Sequence, residues 1–209
     1  MTTTTFIDHD IQEVSNAQKA RILRDALPYI REYYGKVVVV KYGGNAMVNE
    51  ELRKAVLADI VLLHLIGVKV VLVHGGGPHI KEALNQVGLE SKFLNGLRVT
   101  DEATMKIVQM VLAGQVNKDL VNLLGALGGK AIGLCGIDDA MIQVQKQSDE
   151  LGLVGEITHI NPELIHDSLA NGYIPVISSI GTDGKGVSYN INADTAAAEI
   201  AGALQAECM

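Results

Sequence analysis

The sequence predicts an α/β protein: a three-layer αβα sandwich with a mostly parallel central sheet. Three observations carry that expectation. Short runs rich in Val and Ile alternate with helical segments along the chain. Those runs are apolar throughout, as in strands covered on both faces. No low-complexity linker interrupts the alternation.

Taken in order, residues 1–14 are polar and are expected to be mobile. Ser15 and Gln18 fit a capping box that opens a helix. Ile22, Leu23, Ala26, Leu27, Ile30 and Tyr33 recur near helical period, Pro28 predicts a kink among them, and Gly35 ends the segment. Residues 37–41 read as a buried strand. Asn49 suits the cap of a helix reaching residue 65, and residues 68–73 form a second strand. Pro78 suits the first turn of a helix ending at Gly88. Thr100 precedes a long helix, in one or two parts, to about residue 126. Residues 130–134 are a strand. Residues 141–147 and 153–159 alternate in polarity and predict a hairpin closed by "SDELG". Asn161-Pro162 starts a helix to residue 170, and residues 173–179 are another buried strand. "GTDGKG" is a tight turn, residues 187–191 a short strand, and a last helix runs from about residue 193 to the terminus with no strand after it.

Composition excludes several functions. The chain has 209 residues, 48% of them hydrophobic, which is enough for a substantial core. Net charge is -7 with no basic run, against nucleic-acid binding. Apolar stretches are short and broken by Lys, His or Asp, against a membrane span. "MTTTTFIDHD" lacks the charge and apolar pattern of a secretory leader, so a cytoplasmic location is expected. Cys135 and Cys208 have neither C-x-x-C spacing nor His at ligand intervals, so reduced thiols and no metal site are expected.

Two strand-glycine-helix units carry the chemistry, "KYGGN" from Lys41 and "HGGGP" from His74. Ligands of parallel sheets bind beyond the carboxyl ends of strands. Glycines there let backbone N–H groups approach an anion, and the next helix points its positive end at it. The pair thus predicts phosphate or carboxylate handling. Neither loop has the G-x-G-x-x-G or P-loop spacing, against a dinucleotide oxidoreductase. Lys41, at the tip of a buried strand, needs a counter-charge, which a ligand phosphate would supply; the bland alternative is a lysine reaching solvent. Arg98, in "NGLRVTDEAT", offers a bidentate fork for a carboxylate or a surface ion pair, in an irregular stretch before a helix. Asn190, Asn192 and Asp194 alternate in "SYNINAD", on one face or as a helix cap. His74 and His79 flank a glycine loop with no nucleophile beside them and read as structural.

"VVVVKYGGNAM", "VLVHGGGP", "NGLRVTD", "VNKDLV" and "NINADTAA" together resemble the amino acid kinase family, in its N-acetylglutamate kinase branch, from Lys36 to about Glu207. The resemblance implies phosphoryl transfer from ATP with Mg2+ to the side-chain carboxylate of N-acetyl-L-glutamate, a step of arginine biosynthesis. It implies that Lys41 stabilises the transferring phosphoryl group and that Asp194 organises the catalytic lysines. Gly44, Gly76 and Gly77 would contact phosphoryl or acyl-phosphate oxygens. Arg98 would hold a carboxylate of the acceptor, and Asn190 would bind the substrate too, with Asn192 beside it. Such an acceptor is already ionised at neutral pH and needs no general base. Aspartate, carbamate, uridylate and glutamate 5-kinases share the fold, and "NGLRVTD" favours the N-acetylglutamate branch.

The family's second lobe binds ATP and supplies a second catalytic lysine. By resemblance the chain holds the N-terminal lobe and the first helix of the second. The expected organisation is a kinked helical arm over residues 1–35 and an acceptor-substrate-binding lobe over 36–209, with the nucleotide lobe missing and little activity alone; a non-catalytic binding or assembly fragment is the alternative. The arm packs on its own domain or on another subunit. In the family such an arm marks arginine-inhibited enzymes and links dimers into a hexamer, so a homo-oligomer and feedback by arginine are expected, and a PII-type protein is a further candidate partner.

Overall fold

The structure, a computed structural model, describes residues 14–209. The mobility expected at the start of the chain falls on residues that lie, but for Val14, outside these. The chain divides into two compact units, Met1–Tyr34 and Gly35–Met209.

In the first unit, Ser15 caps helix α1 (Asn16–Tyr33). The Gln18 backbone N–H donates to Ser15 Oγ at 3.3 Å while the Ser15 N–H donates to Gln18 Oε1 at 2.9 Å. The helix runs through Pro28 as one element and has no buried residue. Ile22, Leu23 and Leu27 are all at least half exposed.

The second unit contains the sheets. β1 (Val37–Tyr42), β2 (Lys69–His74), β5 (Ala131–Cys135) and β8 (Ile174–Ser178) form the central sheet in the order β1-β2-β8-β5, all parallel. On one face lie α7 (Glu163–Ala170) and α8 (Ala193–Ala203), whose Ile165, Leu169, Ala196, Ala197 and Ile200 pack against Val39, Val71, Val73 and Ile177. Strand alternation turns Val70 and Leu72 the other way. That face meets α3 (Glu50–Leu65) and α6 (Asn117–Ala126), which bury Leu57, Ile60, Leu120 and Leu124. The three-layer α/β sandwich with a parallel central sheet is thereby realised.

Helix starts follow the capping chemistry. Asn49 caps α3 by accepting from Leu52 N at 3.0 Å. Asp101 caps α5 (Glu102–Gln109) by accepting from Thr104 N at 2.8 Å. Asn161 Oδ1 accepts from Glu163 N at the start of α7 at 3.2 Å. A four-residue helix, α2 (Asn45–Val48), follows the first glycine loop, and α4 (Gly77–Gln86) opens with Pro78 after the second. Between α5 and α6 the helix widens into a π-helical turn, Met110–Val116, so the two expected parts are one continuous helical run.

A second sheet, ordered β10-β9-β6-β7, comprises β6 (Ile142–Lys146), β7 (Gly155–Ile160), β9 (Ile180–Thr182) and β10 (Ser188–Asn190). β6 and β7 are the expected antiparallel hairpin. Two expectations need correction. Gly181 and Thr182 belong to β9, antiparallel to β10, so the turn is shorter than "GTDGKG". The last helix stops at Ala203, and the chain after it returns to the sheet. There the Glu207 N–H donates to Val37 O at 2.8 Å and the Val39 N–H to Cys208 O at 3.1 Å. Positive φ at Gln205 helps turn the chain back.

Candidate active site

A cleft of about 270 Å³ opens where β1, β2 and β10 end and α4 and α8 begin. All eight residues singled out from the sequence line it: Lys41, Gly44, Gly76, Gly77, Arg98, Asn190, Asn192 and Asp194. Its charged lining residues are two cations, Lys41 and Arg98, and one carboxylate, Asp194, a formal balance of 2 − 1 = +1. The first turn of α4, which has no side-chain cap, adds N–H groups without intrahelical acceptors, and α8 adds the positive end of its dipole. The cleft therefore favours an anion of small-metabolite size.

Lys41 Nζ pairs with Asp194 Oδ1 at 2.9 Å. The Asp194 side chain is 69% exposed, so the pair contributes at most about 1 kcal/mol to stability. Its effect is to hold the ammonium in place. An added Cβ on Gly43 would stand 3.0 Å from Lys41 Nζ, tighter than an ordinary contact, so the lysine head would shift by a few tenths of an ångström. Gly44 has φ +63°, a left-handed conformation that L side chains rarely adopt.

Arg98 is 8% exposed, and burial lowers its pKa below the ordinary guanidinium value. Nη2 donates to Gly77 O at 3.3 Å, and the guanidinium carbon lies 4.8 Å from the Phe93 ring centre. Nη1 is buried and, among the described residues, has no hydrogen-bond partner. A buried, unpaired donor costs about 1–3 kcal/mol, more on a charged group. A ligand carboxylate in the cleft would supply the acceptor and complete the fork.

Asn190 Nδ2 donates to Thr100 Oγ1 at 3.2 Å, and the Thr100 hydroxyl donates to Arg98 O at 2.7 Å. Arg98 and Asn190 thus share one framework. Asn192 also caps α8, where its Oδ1 accepts from Asp194 N at 2.9 Å and Thr195 N at 3.1 Å. Its Nδ2 is what remains for a ligand. Among the described residues no group of three or more His, Cys, Asp or Glu could hold a metal ion.

The pattern described as the amino acid kinase family matches residues 36–209. The chain belongs to the amino acid kinase family. It is 53% identical over 201 residues to an acetylglutamate kinase of Brachyspira hyodysenteriae, covering 95% of this chain and 70% of that one. Against an acetylglutamate kinase of Clostridium kluyveri it is 57% identical over 190 residues, covering 90% of this chain and 67% of that one. Among solved structures it is similar to smu.665 of Streptococcus mutans, at 33% identity and TM-score 0.75, covering 82% of this chain and 69% of that one. It is also similar to N-acetylglutamate synthase of Neisseria gonorrhoeae, solved with coenzyme A and N-acetyl-glutamate. That match has 26% identity and TM-score 0.77, and covers 90% of this chain and 44% of that one.

Three features of this amino acid kinase differ from or go beyond what its sequence predicts. Arg98 does not lie in an irregular stretch. It sits in β4 (Leu97–Arg98), paired antiparallel with β3 (Phe93–Leu94). The signal was present in Asn95-Gly96, both at positive φ, the dipeptide of a two-residue hairpin turn. The π-helical turn places Leu112 on the cleft wall, where an added Cβ on Gly76 would come within 2.5 Å of Leu112 Cδ2. Asn117 is 1% exposed and bonds His74, whose burial the sequence did not announce. An asparagine amid the apolar positions of "GQVNKDLV" was the available cue.

Proposed function

We propose that this chain is an acetylglutamate kinase, transferring a phosphoryl group from ATP to the side-chain carboxylate of N-acetyl-L-glutamate. A carboxylate oxygen attacks the γ-phosphorus, the bond from that phosphorus to the bridging oxygen of ATP breaks, and N-acetylglutamyl 5-phosphate and ADP result. The observation that carries the reading is the buried Nη1 of Arg98, unpaired beside a cleft with a net positive lining.

In this reading Arg98 and Asn190 hold the acceptor, with Asn192 Nδ2 beside them. The N–H groups of Gly44, Gly76 and Gly77 meet phosphoryl oxygens, and Lys41, held by Asp194, faces the charge that develops in transfer. Mg2+ carried in with ATP would supply charge neutralisation at the phosphates. The chain's own part is to orient the carboxylate and stabilise the moving charge, with no proton to abstract. We further propose a cytoplasmic enzyme of arginine biosynthesis that assembles as a homo-oligomer through α1, dimers joining into a hexamer, with arginine as a feedback ligand. The exposed Ile22, Leu23 and Leu27 support that assembly, since a free helix with such a stripe needs a burial partner.

Calorimetric titration with N-acetyl-L-glutamate, paired with an ADP-release assay, tests the reading. Binding is expected, and Arg98→Ala is expected to weaken it at least tenfold, because truncating one partner of a buried charge pair costs about 2–5 kcal/mol. Equal binding by that variant would remove Arg98 from the site. Binding without any ADP release would assign the chain acceptor binding alone.

A further inference from the structure

We propose that Lys118, beside strand β5 and outside the cleft lining, strengthens the anion-holding N–H of Gly76 through a hydrogen-bond relay of Asn117 and His74. The inference rests on the reading of the cleft as an anion site.

Each link has a donor and a direction. Lys118 Nζ donates to Asn117 Oδ1 at 3.1 Å and to Gly133 O at 3.2 Å. Asn117 Nδ2 has three acceptors in reach, Val176 O at 2.8 Å, Leu134 O at 3.1 Å and His74 Nε2 at 3.1 Å, so one of its two N–H groups is shared between two of them. Those two carbonyls fix the amide orientation, since a flipped Asn117 would set oxygen against oxygen. His74 Nδ1 lies 2.9 Å from Gly75 O, which can only accept, so Nδ1 carries the proton. Nε2 is then bare and takes part of a shared Asn117 N–H. Both neighbours demand the same neutral tautomer.

The last link is covalent. The peptide between Gly75 and Gly76 is trans, as are all the described peptides. In a trans peptide the C=O and N–H point in opposite directions. With the Gly75 carbonyl held toward His74, the Gly76 N–H is aimed the other way, and Gly76 lines the cleft. Every bond in the series donates in the same sense, from the ammonium to the anion. Hydrogen bonds so aligned polarise one another. The series therefore positions the Gly76 peptide and makes its N–H a better donor.

The rest of the structure fits this arrangement. Asn117 is 1% exposed and His74 fully buried, so water does not compete for the link between them, while Lys118 keeps its ammonium at the surface. The π-helical turn ends at Val116, immediately before Asn117. An added Cβ on Gly133 would overlap Asn117 Oδ1, so only glycine leaves the amide its place. His74, with its ring pushed down to about 4 by burial, stays neutral at ordinary pH. Lys118, Asn117 and His74 are positioning residues, since none touches the cleft.

The test uses the whole 209-residue chain. Nitrogen NMR of the His74 ring should show Nδ1 protonated and Nε2 bare from about pH 5.5 to 8. The opposite tautomer, or titration in that range, overturns the relay. Lys118 is exposed, so Lys118→Met should fold normally. It should move the Gly76 amide proton upfield without ligand and weaken N-acetyl-L-glutamate binding roughly threefold to tenfold, with Lys118→Arg restoring both. A Gly76 amide unmoved by Lys118→Met overturns the proposal. A direct charge effect is separated by Asn117→Leu, in whose background Lys118→Met should lose its influence; an undiminished effect there also overturns it. If the unaltered chain gives no heat with N-acetyl-L-glutamate, the acceptor reading falls, while ring tautomer and Gly76 amide still decide the relay.

Discussion

Lys41 Nζ and Asp194 Oδ1, 2.9 Å apart, join the end of β1 to the first turn of α8 across the cleft. The two residues are 153 positions apart, by 194 − 41. The carboxylate is too exposed for the pair to matter to stability, so its loss should be read in rate.

Lys41→Ala should lower phosphoryl transfer by about 10²- to 10³-fold, with acceptor affinity within about threefold of the original. Asp194→Asn should lower it less, because the ammonium survives but loses its anchor. Steady-state turnover and calorimetry, on a chain fused to the part of the Clostridium kluyveri relative that it does not match, give the two quantities separately. An unchanged turnover in Lys41→Ala would sink the assignment.

Two glycines should respond oppositely to a methyl group. A Cβ on Gly77 meets nothing within 4 Å and would stand in cleft space. Gly77→Ala should keep its melting temperature and lose acceptor affinity. A Cβ on Gly133 would overlap the Asn117 amide, so Gly133→Ala should be destabilised by about 1–3 kcal/mol or fail to fold. Thermal unfolding beside titration distinguishes them.

Stability should fall in acid through His74. Burial pushes its imidazole from 6.5 down to about 4. Between those values the unfolded chain binds more protons than the folded one, so stability rises with pH there. The contribution is complete above pH 6.5 and is lost as the pH falls toward 4, on the order of 3 kcal/mol in all. Urea unfolding at stepped pH should show this slope, and His74→Gln should flatten it.

The arm should govern assembly. Removing residues 1–34 should reduce a hexamer to dimers in light scattering, with the remaining unit still folded. A mass per particle that falls only by the deleted residues would make α1 local packing and withdraw support for arginine feedback.

Much of this was legible in the sequence because it is local. The helix caps, the apolar strands and the glycine loops declare themselves in neighbouring residues, and Lys41, Arg98 and Asp194 stood out as charges beside them. What was hidden depends on distant partners. The Asn117–His74 contact joins residues 43 apart, and nothing near either predicts the other. The pairing of Glu207 and Cys208 with β1 escaped because two residues carry no strand period. The hairpin bearing Arg98 is the exception: its Asn-Gly turn was in plain view.

That return of the chain to β1 has a consequence for handling the protein. β1 lies at the rim of the central sheet, and among the described residues the pairing on its outer side ends at Val39. The remaining rim, residues 40–42, carries Lys41, and a charged lysine on an edge strand discourages pairing with a further strand. Removing that charge in Lys41→Ala is expected to make chains aggregate more readily at high concentration, read as turbidity.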